Sequence, residues 1–163
     1  MELLMLLEKG IWFGCAAIGF GILFNVPVRT LYMIFILGML GGLTKLFLVH
    51  FNAGVIMSSF VGASVIGVLS IPAAHNKHAP PLVFSIPALI PMVPGAFAYR
   101  TMLGLIKLTA LSDPALYSNI LNDTVSNGLK TIFILLTLAA GASIPMLVTR
   151  KSSAKHITLK NRD

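Results

Sequence analysis

The chain has 163 residues, of which 56% are hydrophobic and 10% are charged, and its mean hydropathy is +0.91. A soluble domain carries about 25% charged residues, so the composition excludes an ordinary soluble domain and predicts an integral membrane protein. The formal net charge is +7. Because one membrane-spanning helix needs about 20 apolar residues, the length allows four or five spans and leaves no room for a soluble catalytic domain.

Five apolar segments follow one another along the chain, each bounded by turn residues. They predict an all-α, polytopic transmembrane helical bundle whose transmembrane domain covers residues 1–149. The predicted spans lie near residues 3–24, 31–49, 53–71, 82–108 and 129–148. The connection over residues 109–128 is long and polar, and we expect a short surface helix in it after Ser112-Asp113-Pro114.

The last segment, residues 150–163, is a basic tail that contains Arg150, Lys151, Lys155, Lys160 and Arg162. Lys and Arg near span ends concentrate on the cytoplasmic side of a membrane, so the tail predicts a cytoplasmic C-terminus. Five spans then place the N-terminus outside. A four-span alternative stays open if residues 31–49 are re-entrant. We expect no nucleic-acid partner, because the tail lacks a groove-binding fold and interleaved aromatic residues.

The fourth apolar segment contains three prolines and a glycine within residues 86–95. Each interior proline removes a backbone donor and clashes one turn back, which leaves carbonyl groups that lipid cannot satisfy. Such backbone survives at membrane depth only against protein or water, and transporters place broken helices around their substrate sites. The segment therefore predicts a proline-broken fourth span in a transport pathway.

The residues around this break are candidates for binding a small carboxylate. A half-helix predicted to begin near Ala96 directs its free amides towards the break, and helix N-termini attract carboxylates. Arg100 lies one turn further along, where its guanidinium can make a two-pronged contact. Candidate substrate-binding residues in this segment are Pro91, Pro94, Gly95, Tyr99 and Arg100.

Three further polar residues complete the candidate substrate site. Asn25 offers a polar group at the inner mouth with Arg29 beside it, although a turn residue and a topology anchor are the simpler interpretation. Lys45 lies in apolar sequence, where a central cation costs about 2.5 to 3.5 kcal/mol. Because Lys45 is near the outer end of its predicted span, snorkelling is favoured over a role in the site.

The scarcity of acids constrains the substrate, since Glu8 is the one candidate within the predicted spans. A zwitterionic amino acid needs a partner for its ammonium group, whereas a dicarboxylate needs only donors and cations. The chain alone favours an anion, unless a second subunit supplies carboxylates. No nucleophile with a base, paired carboxylates or phosphate loop can be assembled, and His75 and His78 lack further ligands. We therefore predict neither an enzyme, nor a cofactor, nor a metal site.

Glycines recur at helix-packing spacing, for example Gly10 with Gly14 and Gly38 with Gly42. Small residues allow close approach of helices in lipid. Packing of this kind leaves open an alternative function, a scaffold or assembly subunit of a membrane complex that binds no ligand. A passive anion channel is a third interpretation.

Two motifs, FNVPVR at residues 24–29 and IPMVPGAFAY at residues 90–99, together resemble the threonine/serine exporter family, specifically its small YjjB-type membrane subunit. The resemblance covers nearly the whole chain, including Pro145 and the basic tail. It implies a multi-pass protein of the bacterial inner membrane that works with a large YjjP-type subunit. The solutes implied are threonine and serine, or succinate in the two-subunit form. With no nucleotide site in the sequence, an ion gradient, with protons as the expected ion, would drive export.

Overall fold

A computed structural model describes residues 2–110 and 114–149; the predicted basic tail and the residues Ser112 and Asp113 lie outside the described residues. Every described element is helical, which confirms the all-α prediction. The elements are α1 (Glu2–Leu23), α2 (Val28–His50), α3 (Val55–Lys77), α4 (Pro81–Leu89), a 3₁₀ helix (Ile90–Met92), α5 (Gly95–Ala110) and α6 (Pro114–Thr149).

Four helices, α1, α2, α3 and α6, are long and apolar enough to cross a membrane. The segments Pro81–Met92 and Gly95–Thr109, the latter nearly all of α5, pass the same test together, but they are bent by 53° at the break between them. Counting this bent pair as one span gives five. The structure thus agrees with a polytopic bundle of about five spans whose fourth span is broken by prolines.

The last helix differs from the sequence prediction. α6 runs without interruption for 36 residues, whereas a long connection with a separate surface helix was expected over residues 109–128. The described residues from 114 onward are helical, with apolar side chains at helical spacing, as at Leu116, Ile120 and Leu121, and this part of α6 packs along α5. A helix of this length measures about 54 Å, well beyond the roughly 30 Å of a bilayer's hydrocarbon.

α3 and the second half of α6 run parallel. Gly141 lies against Phe60 and Ser64, and further along both helices Gly67 lies against Ala142. Ile71 and His75 then share a surface cavity with Ser143 and Met146. Since both helices advance in the same direction, the chain between them has to return to the side where α3 begins. This favours a broken span over a re-entrant loop for the bent pair.

The register also shows that α6 extends past the start of α3. Gly141 is level with the second and third turns of α3, so roughly half of α6 lies beyond the N-terminus of α3. α5 packs antiparallel along this half, with Gly104 against Thr124 and Thr101 against Gly128. We call α5 together with residues 114–131 the helical arm.

We expect Gly67→Ala to destabilise the protein. An added Cβ would lie 2.7 Å from the Ala142 carbonyl oxygen, and such overpacking costs about 1 to 3 kcal/mol. Gly19→Ala is the matched control, since nothing lies within 4 Å of its added Cβ, and alanine there should stabilise the helix by about 0.5 to 1 kcal/mol. Thermal unfolding of the purified protein in detergent measures both. A Gly67→Ala variant as stable as the wild type would contradict the close α3–α6 contact.

Candidate functional site

The break between the 3₁₀ helix and α5 satisfies much of its own backbone. The Gly95 N–H donates to the Val93 carbonyl at 2.9 Å, and the N–H groups of Phe97 and Ala98 both donate to the Pro94 carbonyl at 3.1 Å. These are amides that the sequence analysis assigned to a solute carboxylate. In the structure they bond within the break, so an anion would have to compete with the Val93 and Pro94 carbonyls.

Lys45 on α2 supplies a hydrogen bond that the broken helix cannot make for itself. Its Nζ donates to the Met92 carbonyl oxygen at 2.9 Å. In an uninterrupted helix that carbonyl would accept from the amide four residues later, but the break removes this partner. Met92 is 1% exposed, so water is not a ready substitute. Snorkelling was the favoured prediction for Lys45, whereas in the structure its ammonium group ties α2 to the break.

Glycine makes the close approach at this point possible. A Cβ at Gly62 would lie 2.7 Å from Met92 Cε and 2.8 Å from the Gly41 carbonyl oxygen. α2, α3 and the 3₁₀ helix therefore converge beside the Lys45 contact. Glycines were predicted to be packing residues. The position of Gly41 and Gly62 beside the break could not be predicted, because it depends on contacts between distant parts of the chain.

A second polar region lies on the helical arm. Five polar side chains meet there in an open cleft of about 210 Å³, and the lining residues are Arg100, Leu103, Gly104, Lys107, Ile120, Asp123, Thr124 and Asn127. The two helices come close because Gly104 has no side chain; an added Cβ would overlap the Thr124 hydroxyl. The Thr124 hydroxyl itself donates to the Ile120 carbonyl at 2.6 Å, which turns it along its own helix.

Asp123 lines this cleft but was not among the predicted site residues, and the same is true of Lys107, Thr124 and Asn127. This aspartate was placed in a polar loop, but because α6 is continuous, Asp123 and Asn127 lie one turn apart on the face that borders α5. The Asn127 side-chain amide donates to the Asp123 backbone carbonyl at 2.8 Å. The helical spacing of Ile120, Asp123, Thr124 and Asn127 is the signal that could have revealed this face.

The predicted site residues do not lie together in one place. Pro91, Pro94 and Gly95 are at the break, and Lys45 contacts it through Met92. Arg100 is exposed and lines the arm cleft, five residues beyond Gly95. Tyr99 is 66% exposed and does not line that cleft.

Asn25 and Arg29 lie at the opposite end of α2. Asn25 has a φ of 54° in the turn between α1 and α2, and Arg29 is exposed in the first turn of α2. Arg29 precedes Lys45 by 16 helical residues, which corresponds to about 24 Å along the axis. The structure therefore does not bring this pair to the break or to Arg100.

A bundle of long apolar helices around a broken span is the architecture of a multi-pass membrane protein. The sequence profile of the family described as "Threonine/Serine exporter, ThrE" matches residues 9–148, and the chain belongs to this family. An uncharacterized protein of Haemophilus influenzae (strain Rd) is 33% identical over 148 residues, which make up 90% of this chain and 48% of the relative. The chain thus spans about half the length of that relative. No solved structure matches the present chain.

We expect Lys45→Met to loosen the break. Loss of the donor leaves the buried Met92 carbonyl unsatisfied, which costs about 1 to 3 kcal/mol, so amide exchange in the peptide covering residues 90–99 should accelerate about tenfold or more. Hydrogen–deuterium exchange with mass spectrometry measures this. Lys9→Met removes an exposed lysine from α1 and should leave the peptide unchanged, and Lys45→Arg should retain protection. Unchanged exchange in Lys45→Met would show that the break does not depend on the ammonium group.

Proposed function

We propose that this chain is the small subunit of a two-component secondary exporter of small carboxylate solutes. The solutes are threonine and serine, or a dicarboxylate such as succinate, and they are moved out of the bacterial cell. Membership of the threonine/serine exporter family supports the transport class. The observation that carries the proposal is the exposed guanidinium of Arg100 in a cleft that begins beside the broken span.

Arg100 is the proposed primary contact for the solute carboxylate. It follows Gly95 by five helical residues, or about 7.5 Å along α5, and a guanidinium can hold a carboxylate through two parallel hydrogen bonds. Pro91, Pro94 and Gly95 shape the break, and Lys45 holds it against α2. Tyr99 would donate a hydrogen bond to the solute from the exposed face of α5.

Asn25 and Arg29 are proposed to act at the other mouth of the pathway. Their position at the α1–α2 turn places them on the opposite side of the bundle from the arm. A solute moving outward would pass this turn first and the arm cleft last.

A large YjjP-type subunit is the proposed partner. The chain matches about half of its Haemophilus influenzae relative, so the rest of that relative has the length of a second module of comparable size. The arm also presents exposed apolar side chains, which a membrane partner or lipid would cover; they include Met102, Leu105, Ile106, Val125 and Leu129. Without a nucleotide-binding motif in the sequence, an ion gradient is the proposed energy source.

The proposed location is the bacterial inner membrane, with the N-terminus outside and the C-terminal tail, residues 150–163, in the cytoplasm. Arg29 follows the α1–α2 turn and Lys77 ends α3. The parallel course of α3 and α6 places both residues on the side where α6 ends. Basic residues at span ends favour the cytoplasmic side, and the tail adds five more.

Cysteine labelling in intact cells tests this orientation. In a Cys15→Ser background, Ala53→Cys before α3 should react with a membrane-impermeant maleimide, because its turn lies outside. Asn76→Cys near the end of α3 should react only after the membrane is permeabilised. Both positions are exposed in the structure. The opposite pattern would invert the proposed topology.

Arg100→Ala should reduce export severely while the protein stays in the membrane. Loss of hydrogen bonds to a charged group costs about 1.5 to 3 kcal/mol, or roughly a ten- to hundredfold loss of flux. The measurement is efflux of preloaded labelled threonine and labelled succinate from exporter-deficient cells, with and without the large subunit. Arg100→Lys should retain part of the flux, and Lys9→Ala should retain all of it.

The same assay separates the proposal from its alternative. If the chain is only a scaffold, the Arg100→Ala variant should export normally. The Gly38→Leu variant should then fail to assemble with the large subunit. Gly38 is the relevant position because an added Cβ would lie 2.6 Å from the Ala17 Cβ. Full export by Arg100→Ala would remove Arg100 from the solute pathway.

A further inference from the structure

The arm cleft carries both signs of charge. Arg100 and Lys107 come from α5, whereas Asp123 and the amide of Asn127 come from α6. Asp123 is the one carboxylate that the structure describes beyond α1. Within residues 2–110 and 114–149, no ion pair joins Asp123 to either cation. All three charged side chains are exposed, so each can bind a solute.

The helix register sets the order of these charges along the cleft. The contacts of Gly104 with Thr124 and of Thr101 with Gly128 place Asp123 at the level of Leu105. Asp123 is then about 7 Å along the axis from Arg100 and about 3 Å from Lys107. A long arginine side chain spans such a gap, so a small solute can touch Arg100 at one end and Asp123 at the other.

We propose that the arm cleft is a solute-binding site in which Asp123 is the specificity-determining residue. Asp123 accepts hydrogen bonds from the ammonium group of an α-amino acid, and Arg100 holds the carboxylate of the same molecule. Lys107 lies about 3 Å along the helix axis from Asp123 and adds a second cation to the cleft. This inference rests on the proposed export function, because it names which of the two solute classes the Arg100 site selects.

Charge complementarity favours a zwitterion over a dicarboxylate in this cleft. A dicarboxylate could pair with Arg100 and Lys107, but its second carboxylate would then lie next to Asp123. Like charges brought together oppose binding, and such repulsion is a common source of specificity. An ammonium group at the same place makes charge-assisted hydrogen bonds instead. The preference for an anion drawn from the scarcity of acids is reversed once Asp123 joins the site.

The size of the cleft agrees with a small solute. Its volume is about 210 Å³, below the roughly 300 to 1,000 Å³ of pockets that hold drug-sized ligands. A molecule with few heavy atoms can reach both ends, whereas a larger amino acid would project out of the cleft. The open side of the cleft would admit such a solute without its ammonium or carboxylate first losing all of its water.

Asp123→Asn tests the assignment, since it removes the charge and keeps the shape. Labelled threonine and labelled succinate are the probes, and each is measured in two ways: binding to the purified full chain in detergent by equilibrium dialysis, and efflux from cells that hold the large subunit. We expect Asp123→Asn to reduce threonine binding and efflux about tenfold while succinate is unchanged or improved. Glu8→Gln neutralises an exposed carboxylate on α1 in the same way and should alter neither solute.

The binding and efflux measurements together distinguish failure of this inference from failure of the proposed function. Equal loss of both solutes in Asp123→Asn, unchanged threonine binding, or a wild type that binds and exports succinate only would each overturn the role of Asp123. A wild type that binds threonine through Asp123 but exports neither solute would overturn the export function and leave the binding site standing. Wild-type protein that binds neither solute would overturn the site.

Discussion

The hydrogen bond from the Lys45 ammonium group to the Met92 carbonyl is the interaction on which this structure depends, because it satisfies a backbone group that the break leaves without a partner. Hydrocarbon offers no water to a freed backbone group, so a helix broken at membrane depth must find its partners within the protein. Two prolines and a glycine break the fourth span within five residues. One lysine from α2, and the close approach of α3 at Gly62, keep that interruption packed.

The geometry of the arm follows from this anchored break. Because the chain turns by 53° after the 3₁₀ helix, α5 leaves α2 and α3 and packs on α6 instead. The first half of α6 extends beyond the N-terminus of α3 and covers α5 there. The charged cleft therefore lies where the bent chain brings α5 against α6.

Features with strong local signals could be predicted from the sequence. Apolar length gave the helical class, the prolines located the break, and two motifs pointed to the exporter family. Asp123 could not be placed, because the Asn and Ser residues around it are typical of a loop, and the contacts of α6 with Gly104 and Thr101 of α5 depend on the fold. The Lys45 contact joins residues 47 positions apart, and no pattern within one sequence links such a pair.

The uninterrupted course of α6 has a mechanical consequence. Its close contact with α3 at Ala142 can serve as a fulcrum, because the helix is held there backbone to backbone. About 42 Å of helix lies between that point and Pro114. A tilt of about 10° would therefore swing the tip of the arm by about 7 Å, while the short end beside α4 would shift by less than 2 Å. A small shift of the C-terminal end of α6 thus corresponds to a larger displacement of its N-terminal end.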